Sequence, residues 1–253
     1  MLITFAEGEV WGTRFFGWSG KDKKKTEKRS LQHADFVMGV YSPIRPYLQK
    51  NLPARFVIVP NLLSKKMPLK KTYQQKRNFR IINVGRQDSN QKNPIIILEA
   101  LKRLPHVHAT LVGNGDLHQK TVEFVKENKL TERVRLILRC PNKKIISQLG
   151  KYDLFVYHSL NWEVSKGCME AALCGLPVLV NQRPGGLAQE VRQAGFYVVK
   201  NSPQGFAHGI EKLAANWRMR RSLGRKNLRY AQKNWDPQIV EARQAEITKR
   251  VLR

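Results

Sequence analysis

Asp153-Leu-Phe-Val-Tyr-His-Ser-Leu-Asn-Trp-Glu163-Val-Ser165-Lys-Gly-Cys-Met-Glu170-Ala-Ala-Leu-Cys-Gly175-Leu-Pro-Val-Leu-Val-Asn-Gln-Arg-Pro-Gly-Gly186 is the stretch whose reading decides the fold. Asp153 to Tyr157 is an apolar run of strand length, and a polar loop with Trp162 and Glu163 follows. Ser165 to Leu173 predicts a helix stopped at Cys174-Gly175, and Pro177 to Val180 predicts a second strand. Strand, loop, helix, glycine turn and strand make a βαβ unit. Open parallel sheets bind ligands at the carboxyl end of the first strand of such a unit, so the polar groups of this loop face a ligand.

The same alternation extends in both directions. Phe79 to Val84, Ala109 to Val112 and Val134 to Leu138 read as strands, separated by helices over Asn93 to Leu104, Asp116 to Asn128 and Asn142 to Leu149. A last strand falls at 196 to 199, and helices follow over 203 to 217, 218 to 234 and 237 to 251. The expected fold class is α/β, a doubly wound parallel sheet. Upstream, Asp35 to Tyr41 and Arg55 to Val59 read as strands around a helix begun by Ser42-Pro43. Residues 1 to 34 hold Trp11, Phe15, Phe16 and Trp18 without a clear period. The expected boundaries are 1–65, a linker over 66–77, a main lobe over 78–236 and a terminal helix over 237–253.

At 253 residues with 42% hydrophobic content, the chain can bury a large core in one or two domains. Three irregularly spaced cysteines, Cys140, Cys168 and Cys174, exclude a disulfide framework and a zinc cluster. A reducing, cytoplasmic setting is the expectation. The first residues lack the length of a signal peptide, and no apolar run approaches a membrane span. Forty-six Lys and Arg against 19 Asp and Glu give a net charge of +27, which predicts attraction to polyanions. The cations are dispersed and no basic run is interleaved with aromatics. A solvated basic surface is the plain reading, with an anionic membrane face ahead of nucleic acid among the alternatives.

Several chemical groups gather at the predicted carboxyl strand ends. Gly85-Arg86 and Lys92 follow the strand ending at Val84 and can reach a diphosphate near helix N-termini. Gly113-Asn114-Gly115 is a strand-to-helix glycine pair that permits close backbone approach to a ligand. Glu163 and Glu170 are two carboxylates of one βαβ unit. Taken alone they could be an acid and base pair, metal ligands, or acceptors for sugar or ribose hydroxyls. Cations for phosphates and carboxylates for hydroxyls suit a sugar nucleotide better than a hydrolytic site.

Glu170-Ala-Ala-Leu-Cys-Gly-Leu-Pro-Val-Leu-Val followed by Pro184-Gly-Gly186 resembles the donor-site signature of retaining GT-B glycosyltransferases of the group 1 type. Val84-Gly-Arg86 with Lys92, and Leu111-Val-Gly-Asn-Gly115, are similar to that family's phosphate-binding residues and glycine turn, in the same order. The resemblance implies a Rossmann-like donor lobe of a GT-B fold. It implies that Arg86 and Lys92 neutralise the leaving diphosphate and that Glu170 holds ribose hydroxyls. Backbone amides of Ser165, Lys166 and Gly167 would face the donor, with Arg139 and Cys140 near the base. The family's first Glu stands eight positions before the second, a place Trp162 holds here, while Glu163 stands seven before it. Either the loop is one residue shorter and Glu163 meets the donor sugar, which is the preferred reading, or that role is altered. Transfer with retention and without a metal or other cofactor is expected, in the making of cell-surface polysaccharide or lipid-linked glycans. The expected partners are a nucleotide sugar, a glycan or lipid-linked acceptor, and a chain supplying acceptor-side groups, because the amino-terminal α/β lobe reads as incomplete. The other class of reading is a non-catalytic nucleotide-sugar or polyanion-binding module.

Overall fold

The computed structural model describes residues 3–6, 36–51, 56–64, 67–74, 78–88, 91–161, 163–184 and 186–252. The cluster Trp11, Phe15, Phe16 and Trp18 lies outside them, as do Trp162 and Gly185.

Two parallel sheets organise the described residues. The first is three-stranded, with β1 (Ile3–Ala6), β2 (Phe36–Gly39) and β3 (Phe56–Ile58) in that order and α1 (Arg45–Asn51) between the last two. The second contains β4 (Phe79–Val84), β5 (Val107–Val112), β6 (Val134–Ile137), β7 (Leu154–Tyr157), β8 (Val178–Asn181) and β9 (Tyr197–Val199). Its spatial order is β6-β5-β4-β7-β8-β9, every pair parallel. The crossovers are α2 (Ile95–Leu101), α3 (His118–Glu127), α4 (Asn142–Leu149), α5 (Lys166–Leu173) and α6 (Gln189–Ala194), and α7 (Pro203–Ala215), α8 (Trp217–Asn234) and α9 (Pro237–Leu252) follow. The short helix α6 was not anticipated from sequence. Its six residues span less than two turns, too few for a 3.6-residue period to show.

Strand order reverses between β4 and β7, which makes that gap the topological switch point, where open α/β sheets bind their ligands. The alternation along each strand explains why both faces are covered. Phe155 and Tyr157 of β7 pack into one apolar layer with Met169, Leu173 and Leu149. Leu154 and Val156 pack into the opposite layer with Leu98, Leu101 and Ile210. Side chains two apart share a face, so a strand with four consecutive buried apolar residues has to lie between two layers. Each such side chain contributes roughly 1.5–3 kcal/mol by leaving water.

Residues 67–74 lie against the turns and helices of the second sheet's lobe. The Lys70 N–H donates to the Cys174 carbonyl at 2.7 Å and the Tyr73 hydroxyl to the Gly175 carbonyl at 2.6 Å. Arg220, one of the cations that the sequence reads as a solvated surface, is fully buried. Its guanidinium donates to the carbonyls of Leu213, Ala214 (2.8 Å) and Tyr73 (3.0 Å) and lies 5.1 Å from the centre of the Phe79 ring. Those carbonyls at the end of α7 and in the 67–74 segment offset the cost of burying a cation. Val240 and Ile247 of α9 pack with Met38 and Val59 of the first sheet's region. The Glu190 carboxylate accepts from the Ser42 N–H at 3.0 Å and from its hydroxyl at 2.5 Å, tying α6 to the turn after β2.

Candidate functional site

The loops after β4 and β7 meet at the switch point. Lys92 Nζ stands 2.8 Å from Glu163 Oε1, with both side chains largely buried. Each is placed by its own loop. Asp88 Oδ1 accepts from the N–H groups of Gln91 (2.7 Å) and Lys92 (3.1 Å), which holds Lys92 close to Asp88. The Leu160 N–H donates to the Gln91 carbonyl at 2.8 Å, and Asn161 Nδ2 donates to Gln91 Oε1 at 2.8 Å, joining the two loops side by side. His158 Nδ1 accepts from the Asn93 N–H at 3.1 Å, so the proton of a neutral ring sits on Nε2, which faces Asn201 Oδ1 at 3.1 Å. Burial lowers the His158 pKa to about 4, which keeps that neutral form at physiological pH.

Asn181, the last residue of β8, and Arg183, two residues beyond it, hold the loop that carries Glu163. Asn181 accepts from the Ser159 N–H at 3.0 Å and donates to the Ser159 carbonyl at 2.9 Å. The buried Arg183 guanidinium donates to the Glu163 carbonyl, and burial lowers its pKa. His158, Asn181 and Arg183 were not singled out in the sequence. The signal they share is a polar side chain within three residues of the carboxyl end of an apolar strand.

Helix α5 begins at the same end of the sheet. Ser165 caps it, its hydroxyl accepting from the Cys168 N–H at 3.2 Å. The Lys166 and Gly167 amides are left without intrahelical partners, which makes this helix end favourable to an anion. A Cβ at Gly167 would stand 3.0 Å from the Phe155 ring and 3.3 Å from the Val84 carbonyl, so any other residue here would have to push the start of α5 or its neighbours by a few tenths of an ångström. Burial pushes the Cys168 thiol up to about 12, which removes it as a nucleophile.

The glycine turn also approaches protein backbone closely. A Cβ on Gly113 (φ 155°) would stand 1.8 Å from the Gly85 carbonyl oxygen, and one on Gly115 (φ 158°) 2.1 Å from that of Gln87. The close approach is to the backbone of the neighbouring 85–87 loop, and the Gly85 N–H donates to the Val112 carbonyl at 3.0 Å. These glycines therefore set where Gly85 and the exposed Arg86 sit.

Glu170 is buried in α5 and accepts from Asn142 Nδ2, at the first turn of α4, at 2.9 Å. Arg139 is exposed and Cys140 half-buried in the turn that leads to that helix. Lys166 is exposed beside the cap. Burial raises the Glu170 pKa, with the Asn142 hydrogen bond and Lys166 opposing. A carboxyl whose folded-state pKa is raised contributes stability that is fully present below its unfolded value and is lost as pH rises through the folded one. Glu170→Gln keeps an oxygen for Asn142 without a charge to desolvate. We expect it to match wild type below the carboxylate range and to exceed it in stability at neutral pH. Urea unfolding midpoints at the two pH values check this, and a variant less stable at neutral pH would contradict it.

Cations Arg86 and Lys92, a helix N-terminus and two carboxylates thus share one end of the sheet. That set can neutralise a diphosphate and accept from hydroxyls. Among the described residues no cluster of His, Cys, Asp and Glu could hold a metal ion, and no helix is long and apolar enough to cross a membrane.

Comparison with known proteins identifies the family and the fold. The family model for glycosyl transferases group 1 matches residues 68–229. An uncharacterised glycosyltransferase of Methanocaldococcus jannaschii is 26% identical over 220 residues, 85% of this chain and 60% of its own length. A second uncharacterised glycosyltransferase of the same organism is 30% identical over 144 residues, 51% of this chain and 34% of its own. The chain therefore spans at most about three fifths of the curated relatives it matches. Among solved structures, sucrose-phosphate synthase from Thermosynechococcus elongatus superposes with a TM-score of 0.81 at 17% identity, over 99% of this chain and 67% of that one. Anabaena HepE, in complex with UDP and glucose, superposes with a TM-score of 0.79 at 16% identity, over 98% and 71%. At these identities the likeness is one of fold, the α/β Rossmann-like architecture of GT-B glycosyltransferases.

Proposed function

The chain belongs to the group 1 glycosyltransferases, and from that membership we propose that it transfers a sugar from a nucleoside-diphosphate donor bound at the carboxyl ends of β4 and β7. The observation that carries the reading is the buried Lys92–Glu163 pair at the switch point, beside the capped start of α5. In this reading Arg86 and Lys92 stabilise the charge that develops on the departing diphosphate, with the α5 amides adding partial positive charge and no metal taking part. Glu163 orients the donor sugar from the loop that Asn181 and Arg183 hold. Glu170 accepts from the ribose hydroxyls, and Arg139 and Cys140 border the base. The acceptor is a glycan or lipid-linked glycan, and the reaction proceeds with retention at the anomeric carbon.

Solved neighbours bound to UDP make uridine diphosphate sugars the first probes. The test is transfer from labelled UDP-glucose and UDP-N-acetylglucosamine to glycan and lipid-linked acceptors, with the product anomer read by NMR. It is run on the chain alone and with any acceptor-side chain encoded beside it, so that donor use and acceptor supply are read separately. The expected product has the donor's α-configuration. A β-product would overturn retention, and binding of UDP without hydrolysis or transfer in either arm would favour a non-catalytic module.

A further inference from the structure

Helix α8 has no acidic residue among its 18, and its exposed arginines fall on one side. Arg218, Arg221, Arg225 and Arg229 are all exposed, and at about 100° per residue they lie within an arc of roughly 80°. No ion pair to a carboxylate is formed by any of the four among the described residues. Such a row repels itself in the isolated protein, and that repulsion is relieved against an anionic surface.

The row also borders an amphiphilic cavity of about 470 Å³. Lys71, Arg221 and Arg225 supply cations to its wall, and Leu69, Trp217 and Leu228 supply apolar surface. Leu69 is 55% exposed, a large apolar side chain standing among cations. Arg218 lies 5.1 Å from the centre of the Trp217 ring. Stacking on nucleic-acid bases calls for exposed aromatic faces, and Trp217 is half-buried with a guanidinium beside its ring, whereas an exposed leucine between cations suits the boundary between headgroups and acyl chains.

We propose that this face of α8 docks on an anionic lipid surface, with a lipid phosphate seated among Lys71, Arg221 and Arg225 and Leu69 inserted beside it. The cavity also touches Cys174 and Gly175, in the turn that enters β8 at its amino end. Docking here leaves the opposite, carboxyl ends of the strands facing solution. The proposal is thus independent of the glycosyl-transfer reading.

The test is co-sedimentation of the full chain with phosphatidylcholine vesicles, with and without phosphatidylglycerol, at low and physiological ionic strength. Binding is expected only with the anionic lipid and is expected to fall with salt. Arg221→Gln with Arg225→Gln is expected to weaken it roughly thirtyfold. The control pair Lys120→Gln with Lys126→Gln, exposed on α3, removes the same charge elsewhere and is expected to weaken it only slightly. Leu69→Ser is expected to lower the fraction that stays bound at physiological salt. Equal loss from both glutamine pairs would show that net charge, not this face, drives binding. Double-stranded DNA of mixed sequence binding as tightly, with the same loss in the arginine pair, would show a general polyanion surface. Either result overturns the proposal, as does indifference to phosphatidylglycerol. An unchanged thermal unfolding midpoint in each variant confirms that the fold is intact.

Discussion

Replacing Lys92 with alanine is expected to cost the fold about 3 kcal/mol, the low end for removing one partner of a buried ion pair. The ammonium lies 2.8 Å from Glu163 Oε1, and the two side chains are only 11% and 6% exposed. Water therefore does little to replace the lost partner. The low end applies because Arg183 remains close to Glu163 and supplies positive charge there. The double variant Lys92→Met with Glu163→Leu is expected to recover most of that loss, since an apolar pair of similar volume carries no charge to desolvate. Urea unfolding of the three proteins measures both effects. A single variant within about 0.5 kcal/mol of wild type, the range of ordinary surface substitutions, would mean that the pair is screened by solvent.

Arg220→Met is expected to destabilise the protein by about 3 to 5 kcal/mol, because three backbone carbonyls lose their donor in a dry environment. For a chain of this size that corresponds to a fall in Tm of roughly 10 °C. Arg220→Lys should recover part of it, since an ammonium has three donors but lacks the planar fork that reaches Leu213, Ala214 and Tyr73 together. Calorimetry of both variants checks this. A methionine variant as stable as wild type would mean that the cation is tolerated there and does not hold α7 and the 67–74 segment together.

The βαβ unit around residues 154 to 181 was legible because its strands are short, apolar and bounded by polar loops and a glycine turn. Placing β4 next to β7 needed the structure. Asn83 of β4 donates to the Val156 carbonyl of β7 across 73 residues of sequence, and nothing local records that pairing. The glycine turn was legible as a place of close approach, but its partner was not: Gly85 lies 28 residues upstream of Gly113, and Gln87 28 upstream of Gly115. Arg183 and Arg220 were hidden for a related reason. An arginine in a basic chain reads as surface, and what buries it is a set of carbonyls that only the fold assembles, Tyr73 being 147 residues from Arg220. The one-residue offset of Glu163 left two readings open in the sequence. The structure puts the Glu163 carboxylate against Lys92 and the carbonyl under Arg183, a contact that the offset alone does not reveal.

The central claim is that the carboxyl ends of β4 and β7 take a nucleoside diphosphate, and calorimetric titration of UDP and uridine tests it most directly. Wild type is expected to bind UDP and to bind uridine at least roughly tenfold more weakly, because the phosphates meet charged donors. Arg86→Ala is expected to lose roughly 10- to 150-fold in UDP affinity, and the Lys92→Met, Glu163→Leu double variant to lose at least as much even where its stability is restored. No UDP binding by wild type, or the same UDP affinity in all three folded proteins, would contradict the assignment of this site.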